Sequence, residues 1–503
     1  MNSYRTVLIG FYNFKALGVK YLAQHLRAAG YEADVVFFKK FQSDNMRMPS
    51  EREFDLLLDL IDRNNYSLIG FSVMSSLYLQ AVKELHRRVK QRFPEKTVIW
   101  GGVIPSLLPE QCLEHADLIM RGESEQTFVE LVKALAGGSP WQDVDNVGYR
   151  GEDGRVVLNP LRPLVEDIDR LGYPVIGGDN IWYINNDVLE HQDPQLADYS
   201  FELTASRGCP FACSYCASIN LRRLYKGHKA VRFRSVESVI EELEQARAKM
   251  KGLRIVRFWD EIFSDDPEWI EGFARQYKEK INLPFEIWGH PLKTSEALIK
   301  PLVKVGLSKI VVGIQSGSPR IRRKIFHRPE TNEQIIECSR VLARCRVPEV
   351  IYDFILDDPF ETEEDYRQTF ELCLQLEPPF ELQLHGLSFL PATDVVDIAI
   401  KEGVKSREEI EQEQNAPLEE QYRAMYWWAW GRGSKGSELS MFWTPLIYFT
   451  QLPWMRNWAR KASHSSYYRK HPEKLLAIQK VVNNYVRFSR GMKRLAIIAG
   501  LKK

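Results

Sequence analysis

Three things are scarce in this 503-residue chain, and each scarcity removes a class of function. No apolar run approaches the roughly 18 uninterrupted residues that a bilayer-crossing helix needs, so a membrane-spanning protein is not expected. Cysteine is sparse and odd in number, seven in all. The opening MNSYRTVLIG places one arginine before a short apolar run, with no small-residue cleavage site after it. A secreted, disulfide-stapled protein is therefore not expected, and reducing cytoplasm is. Net charge is also scarce, at +1, so nothing overall calls for nucleic acid, and no recognised binding motif is present. That average hides one imbalance: residues 421–503 carry sixteen Lys and Arg against only Glu438 and Glu473.

Against this background three cysteines stand close together. Cys209, Cys213 and Cys216 have the spacing C-x3-C-x2-C, directly after a strand-like run. Three thiolates in one loop can hold three irons of a [4Fe-4S] cluster and leave the fourth open. Zinc is the rival, although a structural zinc site wants a fourth ligand, usually in a second separated pair, and none lies nearby. The remaining cysteines, Cys112, Cys338, Cys345 and Cys373, are scattered, read as small buried hydrophobes, and form no second cluster signature.

The chain around this loop is α/β. Five strand-like runs between 5 and 122 alternate with helical periodicity, which predicts a doubly wound, flavodoxin-like parallel sheet over 1–140. In such sheets ligands sit beyond the carboxyl ends of the strands. Those ends carry Asn13, Gly18, Ser72, Ser75, Gly101, Gly102 and Glu123, residues suited to a close ligand but equally to ordinary turns. Residues 141–195 read as a linker with a small hairpin and a Pro-bounded acidic strap. From 196 to 406 six longer β/α units predict a partial barrel, with chemistry at the carboxyl ends of its strands. Trp259-Asp260-Glu261 ends the second of these strands and Gly313-Ile-Gln315-Ser316-Gly317 the fourth.

A sheet domain followed by C-x3-C-x2-C resembles the cobalamin-binding radical SAM family. The resemblance implies a [4Fe-4S] cluster on Cys209, Cys213 and Cys216, with S-adenosylmethionine (SAM) held near Tyr215, Asp260, Glu261, Gln315 and Ser316; loop capping is the alternative role for Asp260, Glu261 and Gln315. It also implies cobalamin against Asn13, Gly18, Ser72, Ser75, Gly101, Gly102 and Glu123. The match is imperfect. The family's D-x-H-x-x-G reads Asn13-Phe-Lys15-Ala-Leu-Gly18 here, with lysine in the place of the cobalt-ligating histidine, and its G-x-E-S-G carries Gln315 for the glutamate. The implied reaction is C-methylation of an unactivated carbon on a lipid-like or natural-product substrate. One SAM methylates cobalamin, a second yields the 5′-deoxyadenosyl radical, and a flavodoxin or ferredoxin supplies electrons. Radical oxidation, cyclisation or rearrangement without methyl transfer is the alternative, and a non-catalytic metal- or cobalamin-binding scaffold the minor one.

The segment 407–503 differs in kind and is expected to be mostly helical. Half of the twelve tryptophans fall in it, among tyrosines, prolines and basic residues. Aromatics beside Lys and Arg suit an interfacial segment on anionic lipid, or a cap packed on the barrel. Peripheral contact through 421–503 would place a cytoplasmic protein at the inner face of the membrane.

Overall fold

The computed structural model describes residues 4–42, 46–174, 176–425 and 437–498. Tyr426, Trp427, Trp428 and Trp430 of the aromatic C-terminal segment lie outside these.

The first module grows from short, uniformly apolar strands, the pattern of a parallel sheet covered on both faces. Its core strands are β1 (Arg5–Phe11), β2 (Glu32–Phe38), β3 (Leu68–Ser72), β4 (Thr97–Gly101) and β5 (Leu118–Met120), all parallel, in spatial order β5-β4-β3-β1-β2. This is the flavodoxin-like order, with its switch point between β1 and β3. Helices 17–28 and 125–137 cover one face through Val19, Leu26, Phe128 and Leu131. Helices 51–64 and 79–92 cover the other through Leu57, Ile61, Val82 and Leu85.

The segment expected as a linker completes this sheet. β6 (Val147–Arg150) and β7 (Val156–Leu158) extend it antiparallel beyond β5. On the opposite edge, β8 (Ile181–Asn185) adds parallel to β2, with β9 (Val188–Glu190) antiparallel beyond it, giving nine strands. The tight β8–β9 turn is built on Asn186 and Asp187, both with positive φ, the sequence chemistry of a two-residue hairpin.

The second module is the expected open barrel. β10 (Ser200–Leu203), β13 (Ile255–Phe258), β14 (Phe285–Gly289), β15 (Leu307–Gln315), β16 (Glu349–Ile355) and β17 (Glu381–His385) form one six-stranded parallel sheet in that order. The strand-like run ahead of the cysteines is interrupted after Leu203. Its end becomes β11 (Ser206–Gly208), paired antiparallel with β12 (Val231–Phe233). Alternation sorts the barrel residues. Phe201, Val256, Phe285, Ile310, Tyr352 and Leu382 pack under the outer helices, whereas Glu202, Arg257, Glu286 and Lys309 pair across the strands as a charged ladder.

The C-terminal segment divides. Leu418 and Tyr422 of helix 418–425 join the core of the first module, and the side chain of Gln80 donates to the Asn415 and Ala416 carbonyls. Helices 438–449 and 472–498 instead cap the barrel. Phe442, Trp443, Leu446 and Phe449, with Leu475, Val482 and Val486, merge with its core. Arg456 donates to the Leu376 carbonyl at 2.9 Å, and Arg490 pairs with Glu381 at the edge strand. No helix among the described residues is long and apolar enough to cross a membrane.

Candidate functional site

The loop between β11 and helix 217–223 carries all three cysteines, and buried neighbours hold it in place. Phe211 stacks on His290, past the end of β14, with ring centres 3.8 Å apart. Burial, with Arg328 and Lys293 nearby, pushes that imidazole down to about 2 and keeps it neutral. The Ser214 backbone N–H donates to the Phe326 carbonyl at 3.1 Å, and its hydroxyl to the Ile325 carbonyl at 2.5 Å. Arg328 connects the loop to the barrel. Its guanidinium donates to the Gly313 carbonyl at 2.6 Å and to Glu330 at 2.6 Å, lies 3.2 Å from the Tyr215 hydroxyl, and reaches the Cys213 sulfur at 3.9 Å.

The donor set fits a cluster better than a single ion. Among the described residues no group of three or more His, Cys, Asp or Glu side chains is gathered to hold one metal ion. Three thiols on one short loop are the ligand set for three irons of a cubane with the fourth left open, whereas a structural zinc takes four protein ligands. Burial pushes the Cys209 thiol up to about 11 and raises that of Cys216, where Glu261 adds to the effect. A metal must supply the charge that ionises them.

Beside the loop lies a cavity of about 490 Å³ between the two modules, within the range of ligand sites. One wall is the switch-point side of the first sheet, with Gly18, Ser72, Met74, Gly101 and Gly102 on it. The other brings Ser206, Arg207 and Gly208 before the cysteines, Ser218 after them, and Trp259 and Glu261 from the end of β13. Backbone shape keeps it open. Gly102 has φ of 104°, and a Cβ there would stand 3.0 Å from the Met74 sulfur and the Val73 carbonyl oxygen. At Gly122, φ is 65° and a Cβ would strike the Tyr225 hydroxyl.

The other expected contacts divide between this cavity and structural roles. Glu123 reaches the cavity, but its carboxylate pairs with Arg207 at 3.2 Å and with Arg232, tying the modules together. Neither Asn13 nor Ser75 lines it. The Asn13 side chain accepts the Lys15 N–H at 2.9 Å, and that of Ser75 accepts the Leu77 N–H at 3.2 Å; both are turn contacts. Asp260 faces inward. Buried, it accepts from the Ala205 N–H at 3.1 Å and from the Ser206 hydroxyl, which breaks the first barrel strand where the cysteine loop departs. Burial pushes its carboxyl up to about 6, even though these donors pull it down. Glu261 accepts from the Ser218 hydroxyl at 3.0 Å, just after Cys216. Gln315, with φ of 69°, ends β15 at a bulge opposite β16. Ser316 is fully buried and turned to Thr369, with Arg322 donating to its carbonyl at 2.7 Å. Tyr215 is partly buried, edge-on against Phe326.

Lys15, in the histidine position, lies outside the cavity. Its ammonium is buried against Asp198 at 2.8 Å, the Ser200 hydroxyl at 2.7 Å and Glu202 at 3.0 Å, at the start of the barrel. A cobalamin in the cavity would therefore have no protein ligand from this position. The glycine rim and the hydroxyl and thioether wall suit its faces and edges. Sequence reasoning missed Arg328, His290 and Tyr225, because no local pattern announces partners about a hundred residues away.

Two family models match the chain. The Radical SAM superfamily matches residues 203–373 and the B12 binding domain residues 11–132. An uncharacterised methyltransferase of Pyrococcus horikoshii is 26% identical over 369 residues, covering 72% of this chain and 73% of its own. The anaerobic magnesium-protoporphyrin IX monomethyl ester cyclase of Rubrivivax gelatinosus is 24% identical over 379 residues, covering 73% and 63%. Among solved structures, the cobalamin-dependent SAM radical enzyme OxsB, with aqua-cobalamin and SAM bound, superposes with a TM-score of 0.64 at 15% identity. That match covers 99% of this chain and 82% of OxsB and shows a shared fold.

Proposed function

We propose, for a chain that belongs to the radical SAM superfamily and carries a B12 binding domain ahead of its barrel, cobalamin-dependent methyl transfer to an unactivated carbon. One observation carries the reading: a single cavity is walled by the switch-point ends of the B12-type sheet and by the residues flanking the cysteine loop. When bound, a [4Fe-4S] cluster with one open iron supplies the electron that cleaves SAM to the 5′-deoxyadenosyl radical, and cobalamin supplies methyl-carrier chemistry.

The chain's own residues orient and exclude water. Cys209, Cys213 and Cys216 would hold three irons of the cluster, and the Arg328 guanidinium would offset thiolate charge beside Cys213. Glu261 and Gln315 are the side chains for the polar end of SAM. Asp260 and Ser316, both buried, are positioning residues that fix the strand ends, and Tyr215 packs the loop. The stacked pair Trp259–Trp288, with centres 4.4 Å apart, gives the barrel mouth an aromatic wall. Gly18, Ser72, Gly101 and Gly102 take the face of cobalamin, and Glu123 holds the rim through its two arginines.

The substrate is a lipid-like or natural-product small molecule, with a flavodoxin or ferredoxin as electron donor. The protein works in the cytoplasm at the inner membrane face, which the basic, aromatic C-terminal segment would touch. Anaerobic purification with iron, sulfide and cobalt analysis tests the cofactor set. Close to four irons per chain, lost in Cys213→Ala, is expected; stoichiometric zinc in place of iron overturns the reading.

A further inference from the structure

The last helix, Pro472–Ile498, has two apolar faces, and the barrel uses one of them. Leu475, Val482 and Val486 are buried in the barrel core, with Gln479 and Asn483 beside them. On the far side Val481, Tyr485, Phe488, Met492 and Leu495 are 53–71% exposed. Their spacing of 4, 3, 4 and 3 residues puts five large side chains in one stripe, nearly four turns from end to end. Scattered exposed apolar residues need no partner, but a continuous stripe of this size does.

Charge identifies the partner. Residues 474–503 hold eight Lys and Arg and no acidic residue. Lys474, Lys480 and Arg487 are exposed on the same helix as the stripe. A second copy of this helix would bring like charge to like charge along the stripe, because the helix's one acidic residue, Glu473, lies two turns before Val481 and pairs with His471, and the exposed flanking residues Asn484 and Gly491 offer no complementary pair. An anionic lipid surface answers both features: it accepts apolar and aromatic side chains at headgroup depth and attracts the basic flank. Arg490, paired with Glu381, fixes the helix to the barrel edge, so the stripe is held outward by a rigid element.

We infer that the 481–495 face of the final helix docks this protein, lying flat, on an anionic lipid surface. This deepens the membrane contact named above and rests on that reading, naming the helix face and the lipid charge it needs. One copy of the chain carries the whole stripe, and no covalent lipid is required.

The test is co-sedimentation of the full chain with phosphatidylglycerol–phosphatidylcholine vesicles, against phosphatidylcholine alone. Binding is expected to the mixed vesicles, to weaken in high salt, and to fall by about tenfold or more in the combined Val481→Ser, Phe488→Ser, Met492→Ser variant. Unchanged circular dichroism and iron content establish that the variant folds. Equal binding by the variant, or no binding by the full chain, overturns the docking. So does a stable dimer in light scattering that the variant abolishes, since a second copy would then own the face. SAM cleavage measured without lipid separates the two readings. Docking lost with SAM cleavage intact removes only the lipid face, and docking intact without SAM cleavage removes only the chemistry.

Discussion

Replacing Lys15 with methionine should loosen the joint between the two modules far more than its place in an exposed-looking turn suggests. Among the described residues the ammonium is the cation paired with Asp198, and it shares Glu202 with Arg257, whose guanidinium stands 3.7 Å away. Removing one partner of a buried ion pair costs about 3–5 kcal/mol, because the remaining charges stay desolvated. The carboxylates are 15% and 16% exposed and Arg257 compensates in part, so the lower end, about 3 kcal/mol, is expected. For a module of about 150–250 residues that is ~6–12 °C in the first thermal transition, read by calorimetry. The pH dependence gives an internal check. Burial raises the Asp198 carboxyl, but the Lys15 ammonium and two backbone N–H groups more than offset this and hold it below its ordinary 3.8. A depressed carboxyl contributes stability that is present above 3.8 and lost as pH falls through the lower folded value, so the gap between wild type and Lys15→Met should close in that acid range. Lys15→Arg should recover part of the loss. A methionine variant melting within about 2 °C of wild type near neutral pH would refute the ion-pair argument.

Arg328→Leu leaves Glu330 buried without its cation and should destabilise by about 3–5 kcal/mol, with iron content falling alongside; wild-type iron and melting would refute its role behind the cysteine loop. Gly122→Val forces the Tyr225 ring away from the Glu123 N–H it now accepts from at 3.0 Å, and puts a β-branched residue at φ of 65°. Hydroxocobalamin retention on a desalting column should drop by about tenfold, equivalent to ~1.4 kcal/mol, with iron unchanged. Asp260, whose folded value of about 6 exceeds its ordinary 3.8, keeps an extra proton in the native state between those values, so wild-type stability rises as pH falls across that window. Urea unfolding of Asp260→Asn should lack this slope; an identical slope in both proteins would assign it to another group.

Much of this was legible in the chain. Uniformly apolar strands such as Ala33–Phe38 and helices with an apolar stripe such as 79–92 have one reading. The cysteine spacing pointed to an iron–sulfur cluster with zinc as its rival, and only the resemblance, resting on the sheet domain ahead of it, added the SAM chemistry. Three-to-five-residue strands were harder. β6 to β9 hold their place by backbone pairing with an existing sheet edge, which needs no long pattern, and only the Asn186-Asp187 turn hinted at the second hairpin. Inward or outward orientation at a strand end was not legible either. Asp260 and Glu261 are adjacent and equally acidic, yet one clasps the loop and the other faces the cavity. Lys15 was read for the ligand it replaces, whereas its role is set by Asp198 and Glu202, brought to it only by the packing of the two modules.

The most direct test is product analysis after anaerobic incubation of the reconstituted protein with SAM and a strong reductant. Formation of both 5′-deoxyadenosine and S-adenosylhomocysteine, each lost in Cys213→Ala and the second dependent on added cobalamin, is the predicted result. 5′-Deoxyadenosine without S-adenosylhomocysteine, whatever the cobalamin supplied, would contradict methyl transfer and leave radical oxidation, cyclisation or rearrangement in its place.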